Sequence, residues 1–126
     1  MATVVLTSPI GGGESGVPGT VIADLTIPAL TTVVVDTLFG TNPNYISTKW
    51  IYTLIDEVDQ TVITAEVVAN QRFAANPQWN RYGLVGDRML HGVDVVLNAG
   101  NMELHVTNNH ALNSYTANIV RIEASL

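Results

Sequence analysis

Two of the three histidines lie close together in the stretch ELHVTNNHALNSY, residues 103–115. His105 and His110 are five residues apart, and imidazole nitrogens are common zinc ligands, but zinc would need a further ligand, for which Glu103 is the only local candidate. Apolar alternation places His105 on the outward side of a strand, and the asparagine-rich sequence places His110 in a turn. We therefore predict a solvated pair of rings or an interface contact, and no metal site.

Acidic residues cluster in IDEVDQT, residues 55–61. Calcium could bind the carboxylates of Asp56, Glu57 and Asp59, but a calcium-binding loop normally supplies more oxygen ligands than these. The glycine and the distal glutamate of an EF-hand are also missing. A hairpin turn exposed to solvent is the favoured interpretation. The GGG at 11–13 is followed by neither a lysine nor a helix, so it is not a phosphate loop. No cofactor is expected.

Catalytic groups are also hard to assemble from this sequence. Ser47 and Ser114 lack the motif of an activated nucleophile, and no histidine and acid are paired with either of them. Asp87 and Asp94 could form the carboxylate pair of a glycosidase. A chain with 11 acidic residues offers many such pairs by chance. We predict no catalytic residues and a protein that is not an enzyme.

Aromatic residues suggest one binding chemistry. Trp79, in the predicted loop PQWNRY, is flanked by Asn80 and Arg81 and could serve as a platform for a sugar ring in a carbohydrate-binding β-sandwich. The favoured alternative is that Trp79 fills the edge of the domain or a subunit contact. Trp50 lies within an alternating stretch and is predicted to belong to the core.

Composition limits the possible partners. A chain of 126 residues is long enough for one core, and the absence of cysteine excludes disulfides and thiolate sites. The net charge is −6, and the basic residues are scattered, so direct binding to nucleic acid is not expected. No apolar run approaches the roughly 18 residues of a membrane helix, and the first residues do not resemble a secretory signal. The basic residues are Lys49, Arg72, Arg81, Arg88 and Arg121.

The surface chemistry is unusual for a small domain. Hydrophobic residues make up 47% of the chain and charged residues only 13%, against about 25% charged residues in a typical soluble domain. The centres of protein interfaces are also depleted in Lys, Glu and Asp. This composition favours a protein that functions in an assembly. The alternative is a soluble monomer covered in threonine and asparagine.

Secondary structure is predicted to be β throughout. Residues 1–20 are rich in glycine and proline and form an extended N-terminal arm, and residues 21–126 form the folded domain. Roughly eight short strands with turn residues near every tenth position predict an antiparallel β-sandwich, jelly-roll-like, or a barrel. EVVANQRFAA could be a short helix, but its β-branched neighbours favour a strand.

The alternating strands indicate which residues face the core. In TKWIYTLID, Trp50, Tyr52 and Leu54 share one face, whereas Lys49, Ile51, Thr53 and Ile55 share the other, which is also largely apolar. A strand apolar on both faces lies centrally in a sandwich or is covered by a neighbouring subunit. The residues predicted to form an interaction surface are Ile51, Ile55, Trp79, Arg81 and His105.

The order of these stretches resembles a small β-sandwich module found in structural proteins of tailed bacteriophages. The resemblance covers residues 47–124 and rests on TKWIYTLID, TAEVVAN, WNRYGLVGD, VDVVLNAGNMELHVTN and TANIVRIEA. The matching features are a Lys-aromatic start, a Glu-bearing strand, a Tyr-Gly corner, a Gly-centred hairpin, a Leu-x-Val-x-Asn strand and a final Arg-bearing strand. They are Lys49-Trp50, Glu66, Tyr82-Gly83, Gly100, Leu104 with Val106 and Asn108, and Arg121.

This resemblance implies a virion protein, made in the host cytoplasm, with no catalytic role. A head-decoration or cement protein is favoured, working as a homotrimer that binds the major capsid protein or another virion protein. A neck, collar or tail-fibre component is a related alternative. The first 46 residues fall outside the resemblance, and the N-terminal arm would adapt the module to its site by reaching a neighbour or the capsid.

Overall fold

The fold is taken from a computed structural model, which describes residues 2–6, 19–39, 45–72 and 75–125. Within these ranges the chain forms nine strands and no helix. The strands are β1 (Ala2–Leu6), β2 (Gly19–Ile27), β3 (Thr31–Leu38), β4 (Tyr45–Asp56), β5 (Thr61–Arg72), β6 (Gln78–Gly86), β7 (His91–Asn98), β8 (Asn101–Asn108) and β9 (Tyr115–Ser125).

The strands form two unequal antiparallel sheets that pack face to face. The large sheet has the order β1-β2-β9-β4-β5-β6, and the small sheet has the order β3-β8-β7. The predicted antiparallel β-sandwich is confirmed, and the stretch EVVANQRFAA contributes strand rather than helix through Arg72. No helix capable of crossing a membrane occurs in the described ranges.

The predicted N-terminal arm is only partly described. Residues 2–6 form β1, which pairs with β2 at one edge of the large sheet. Residues 7–18, which include the GGG stretch, lie outside the described residues, as do residues 40–44.

The core lies between the sheets and follows the predicted alternation. Trp50, Tyr52 and Leu54 of β4 are fully buried, as predicted. They face Met102, Leu104 and Val106 of β8, which are also fully buried. Burying one side chain of this size contributes about 1.5–3 kcal/mol. These two central strands therefore hold the sheets together.

A buried polar cluster adds a second link between the sheets. A bulge at Val35 shifts the register of β3, so that Asp36 pairs with the inward-facing Leu104. Asp36 thus points into the sandwich, where its carboxylate accepts hydrogen bonds of 2.9 Å from Nη1 of Arg121 and 2.8 Å from Nε1 of Trp50. The bulge explains why an acidic residue in an apolar strand faces inward.

Strand β6 differs from its prediction. Trp79 and its neighbours were expected in a loop, but β6 already begins at Gln78 and pairs with the second half of β5. The edge of β5 that does not face β4 has free backbone hydrogen-bonding groups. Pairing with these groups makes β6 begin earlier, at residues whose side chains have weak strand propensity. The predicted bend at Gly83 is present, with a φ of +61°, at a bulge between β5 and β6.

The small sheet covers only part of the large one. All nine residues of β6 are exposed, including those on the side that faces the small sheet. The small sheet has only three strands and ends at β7, whereas the large sheet has six and ends at β6. The small sheet is therefore too narrow to cover β6, which extends beyond β7. An open groove results along this side of the sandwich.

Candidate functional site

The two clustered histidines have separate partners. His105 lies on the outward side of β8, and its Nε2 is 2.9 Å from Oε1 of Glu103 on the same face. His110 lies in the loop after β8, where its Nδ1 accepts hydrogen bonds from the backbone N–H groups of Leu112 and Asn113. The two rings therefore do not share a ligand site, in agreement with the predicted geometry.

The structure brings His110 to the turn after β4, a contact that the sequence did not indicate. Potential ligand atoms of Asp56, Asp59 and His110 lie within 4.8 Å of one another. With Nδ1 accepting, the neutral ring of His110 carries its proton on Nε2, which lies 3.3 Å from Oδ2 of Asp59. This contact joins two turns that are far apart in the sequence.

Asp56 is the buried centre of this cluster, and protein donors already occupy its oxygens. Oδ1 accepts from the N–H groups of Val58 and Asp59 at 3.0 and 3.1 Å, and Oδ2 accepts from Nδ2 of Asn113 at 2.9 Å. Burial alone would raise the pKa of Asp56, but these hydrogen bonds outweigh burial and lower it. The cluster is accounted for as a clasp between two turns, which we call the Asp56 clasp.

The other predicted catalytic candidates also have structural partners. Oδ2 of Asp87 accepts a hydrogen bond of 2.9 Å from the backbone N–H of Val62, and Oδ1 of Asp94 accepts one of 2.9 Å from that of Val95. Both carboxylates therefore stabilise the backbone of the two sheets. Nothing in these contacts creates the facing pair that a glycosidase requires.

The five predicted interaction residues lie on three different surfaces. Ile51 and Ile55 lie on the outer face of the large sheet, because their neighbours Trp50, Tyr52 and Leu54 face the core. Trp79 and Arg81 lie on the opposite side of that sheet, since they pair with buried residues of β5. His105 lies on the outer face of the small sheet. The predicted residues thus define two candidate surfaces on the large sheet and one elsewhere.

The outer face of the large sheet is a broad surface of apolar and threonine side chains, which we call the outer face. It spans five strands whose side chains are described, and the ion pair between Lys49 and Glu66, at 3.2 Å, lies near its middle. The residues Val62, Val68 and Val85 are 44%, 41% and 70% exposed. Its apolar residues are Val21, Ile51, Ile55, Val62, Val68, Tyr82, Val85, Val120 and Ile122.

The second surface is the groove between β6 and β7, which we call the edge groove. Trp79, Asn80 and Arg81 of β6 form one wall, and His91, Gly92 and Val93 of β7 form the other, around a volume of about 430 Å³. The groove continues past Arg81 and His91 into a second space of about 340 Å³ that reaches Arg88. Residues from both sheets therefore meet at one open site.

A chain of hydrogen bonds forms the floor of the edge groove. His91 donates from Nδ1 to the carbonyl oxygen of Met89 at 2.9 Å, so its Nε2 accepts from the hydroxyl of Tyr52 at 2.8 Å. The positive charge of Arg81 lies close enough to the Tyr52 hydroxyl to lower its pKa. An exposed cation therefore lies beside the fully buried hydroxyphenyl group of Tyr52.

Burial controls the protonation of both floor residues. It lowers the pKa of His91 below the usual value of 6.5, and Arg81 lowers it further, whereas the bond to Met89 acts in the opposite direction. Burial also raises the pKa of Tyr52, and Arg81 offsets only part of this rise. The groove therefore presents a neutral imidazole and a neutral phenol beside a permanent cation.

Comparison with protein-family models, with curated proteins and with solved structures finds no match for this chain.

Sequence reasoning found Trp79 and Arg81 but missed His91 and Tyr52 as their neighbours. Tyr52 was assigned to the core, where it does lie. Its hydroxyl reaches His91, 39 positions later, through the pairing of the two sheets. The one available signal was the position of His91 at the start of an alternating strand, beside a short loop.

Proposed function

We propose that this protein is a structural subunit of a bacteriophage virion that assembles as a symmetric oligomer, most favourably a trimer that decorates and stabilises the head. The observation that carries the proposal is the outer face. A sheet face rich in valine and isoleucine, with one central ion pair, has the composition of an interface centre. Catalysis has no part in this proposal.

The dimensions of the outer face support a stable contact. With strands about 4.8 Å apart and a rise of about 3.3 Å per residue, the five strands of the outer face are together roughly 24 Å wide, and the 12-residue strands β4 and β5 are roughly 40 Å long. One side of a standard protein interface buries about 800 Å². The outer face therefore offers enough area for one subunit contact.

Polar groups on the outer face would set the orientation of the contact. The Lys49–Glu66 pair is half exposed and adds little to stability by itself. When an interface forms, burying this charged pair among apolar side chains costs free energy unless the neighbouring subunit places polar groups opposite it. Alignments of the two subunits that do not place such groups there are therefore disfavoured. Closed symmetry would then hide the apolar face of every copy.

The virion assignment rests on the resemblance of residues 47–124 to the phage module and on the low charge of the chain. Under this proposal the trimer binds the major capsid protein or another virion protein. A collar or tail-fibre position is the second candidate within the same class. Labelling of intact particles separates them, because a decoration protein covers the head and a collar protein lies at one vertex.

The experiment that tests the assembly is a solution mass by light scattering on a gel-filtration peak. We expect a multiple of the 13.5 kDa chain mass for the natural sequence. Val68→Lys places a charge on the outer face and should give a folded monomer. The matched control is Val34→Lys on the small sheet, where Val34 is 45% exposed. It should leave the oligomer intact.

A natural chain that stays monomeric at high concentration contradicts the proposed assembly. If both lysine variants dissociate the oligomer equally, the contact does not lie on the outer face. An oligomer that fails to co-sediment with decoration-free capsids of the phage concerned contradicts the capsid partner but leaves the oligomer established.

A further inference from the structure

The edge groove concentrates positive charge in an acidic protein. The chain carries a net charge of −6, yet two arginines, Arg81 and Arg88, line this groove beside Asp87, whose carboxylate accepts a hydrogen bond from the backbone N–H of Val62. Neither forms an ion pair with a carboxylate of the described residues, whereas Lys49 and Arg121 do. A guanidinium without an ion-pair partner is suited to bind a carboxylate through two parallel hydrogen bonds.

An aromatic ring lies beside this cation. Trp79 and Arg81 are two residues apart on the same side of β6, so their side chains emerge roughly 7 Å from each other. The Trp79 side chain is partly exposed, at 37% for the residue. The pair offers a flat apolar surface and a charge at fixed spacing.

The strand edges beside the groove are poorly suited to a peptide. Oδ1 of Asn80 accepts from the backbone N–H of Arg81 at 2.9 Å. On the other wall, Oδ1 of Asp94 accepts from the N–H of Val95 at 2.9 Å. Side chains that occupy main-chain donors of edge strands hinder the addition of a further strand. The groove therefore favours a ligand that does not depend on a backbone ladder.

We propose that the edge groove binds a carboxylate-bearing saccharide. The apolar face of a sugar ring would stack on the indole of Trp79, and the guanidinium of Arg81 would bind the carboxylate. Arg88, farther along the groove, would contact the acid of a neighbouring sugar unit.

This binding activity goes beyond the proposed assembly role and does not depend on it. The edge groove lies on the opposite side of the large sheet from the outer face. Contacts between subunits through the outer face leave the groove open. Oligomer mass and saccharide affinity can therefore be measured independently on the same variants.

Calorimetric titration of the full chain tests the proposal with oligomers of galacturonate, glucuronate and guluronate. The matched ligand is the methyl ester of each oligomer, which keeps the rings and removes the negative charge. We expect at least one acid oligomer to bind about tenfold or more tightly than its ester, as a charge-assisted hydrogen bond predicts. Indole N–H signals in NMR spectra should shift for Trp79 and not for Trp50.

Variants locate the site. Trp79→Ala and Arg81→Gln should each weaken binding about tenfold or more. Arg88→Gln should weaken saccharide binding less than these two variants do. It removes a charge from the groove without changing the residues of the groove floor. Arg72→Gln and Tyr82→Ala, which lie outside the groove, should keep affinity within about twofold. Circular dichroism confirms that each variant is folded.

Three outcomes overturn the proposal. The first is that no acid oligomer binds. The second is that acid and ester bind equally, which removes the role of the carboxylate. The third is that inorganic phosphate competes as well as the saccharide does, which reduces the site to a simple anion patch.

Discussion

The indole Nε1 of Trp50 donates a hydrogen bond of 2.8 Å to Oδ2 of Asp36 across the two sheets. The same carboxylate accepts 2.9 Å bonds from Nη1 of Arg121 on the strand next to β4. The Asp36 and Arg121 side chains are only 7% and 15% exposed. A largely buried carboxylate thus holds two donors of the large sheet against the small one.

Asp36→Ala should lower the free energy of unfolding by about 3–5 kcal/mol, because it leaves the Arg121 guanidinium buried without its partner. The measurement is urea denaturation at neutral pH. Glu57→Ala, at an exposed turn, is the control and should change stability by less than about 0.5 kcal/mol. A double variant, Asp36→Leu with Arg121→Met, should recover most of the loss. If it is no more stable than Asp36→Ala, an unpaired charge is not the cause.

Acidification should weaken the fold through His91. The pKa of this group is lowered in the folded chain by burial, so the unfolded chain binds its proton first as pH falls. Its contribution to stability is complete above the ordinary value of 6.5 and is lost as pH falls through that value toward the lowered pKa. The slope cannot exceed about 1.4 kcal/mol per pH unit for one proton. Urea denaturation between about pH 7.5 and 5.5 measures it.

The comparison for this prediction is His91→Gln, which keeps a polar group near Tyr52 and removes the titration. Its stability should depend less on pH over the same interval than that of the natural chain. An equal dependence would show that His91 is not the cause of the effect.

The Asp56 clasp should be independent of metal ions. Its carboxylate oxygens and the imidazole nitrogens are occupied by protein donors and acceptors, so neither calcium nor a chelator should shift the melting temperature. Asp56→Ala should cost about 1–3 kcal/mol, because it strands two backbone N–H groups and the Asn113 amide. Calorimetric melting curves with calcium and with chelator measure both effects. A rise in melting temperature with calcium would identify the cluster as a cation site.

The hairpin between β7 and β8 contains a strained residue that can be improved. Its two turn residues, Ala99 and Gly100, have φ angles of +51° and +81°, and an alanine is unfavourable in the first of these positions. Ala99→Asn should therefore stabilise the protein by about 0.5–1 kcal/mol. The control is Ala111→Asn in an exposed loop. A gain at both positions would point to surface polarity rather than to turn conformation.

Local patterns were sufficient to predict an all-β fold and the core face of β4. Alternation in that strand identified Trp50, Tyr52 and Leu54 as residues that share one face, because a strand with one buried face repeats every two residues. Asp36 could not be predicted, since the bulge at Val35 breaks that repeat and the sequence carries no glycine or proline to mark it.

The sequence also did not reveal which strands that are distant along the chain contact each other in the fold. The Asp56 clasp and the pairing of Tyr52 with His91 depend on which strands are neighbours, and a single sequence does not record that order. Trp79 was placed in a loop because the residues around it have weak strand propensity. The free edge of β5 determines its conformation instead.

The position of β9 has a consequence for how the chain is made. β9 lies between β2 and β4 in the large sheet, although it is the last of the described strands to leave the ribosome. Until it emerges, β2 can pair only with β1 and β4 only with β5, so the edges of β2 and β4 that bind β9 have no partner. Folding therefore completes only after synthesis reaches β9, and such long-range strand pairing is intrinsically slow.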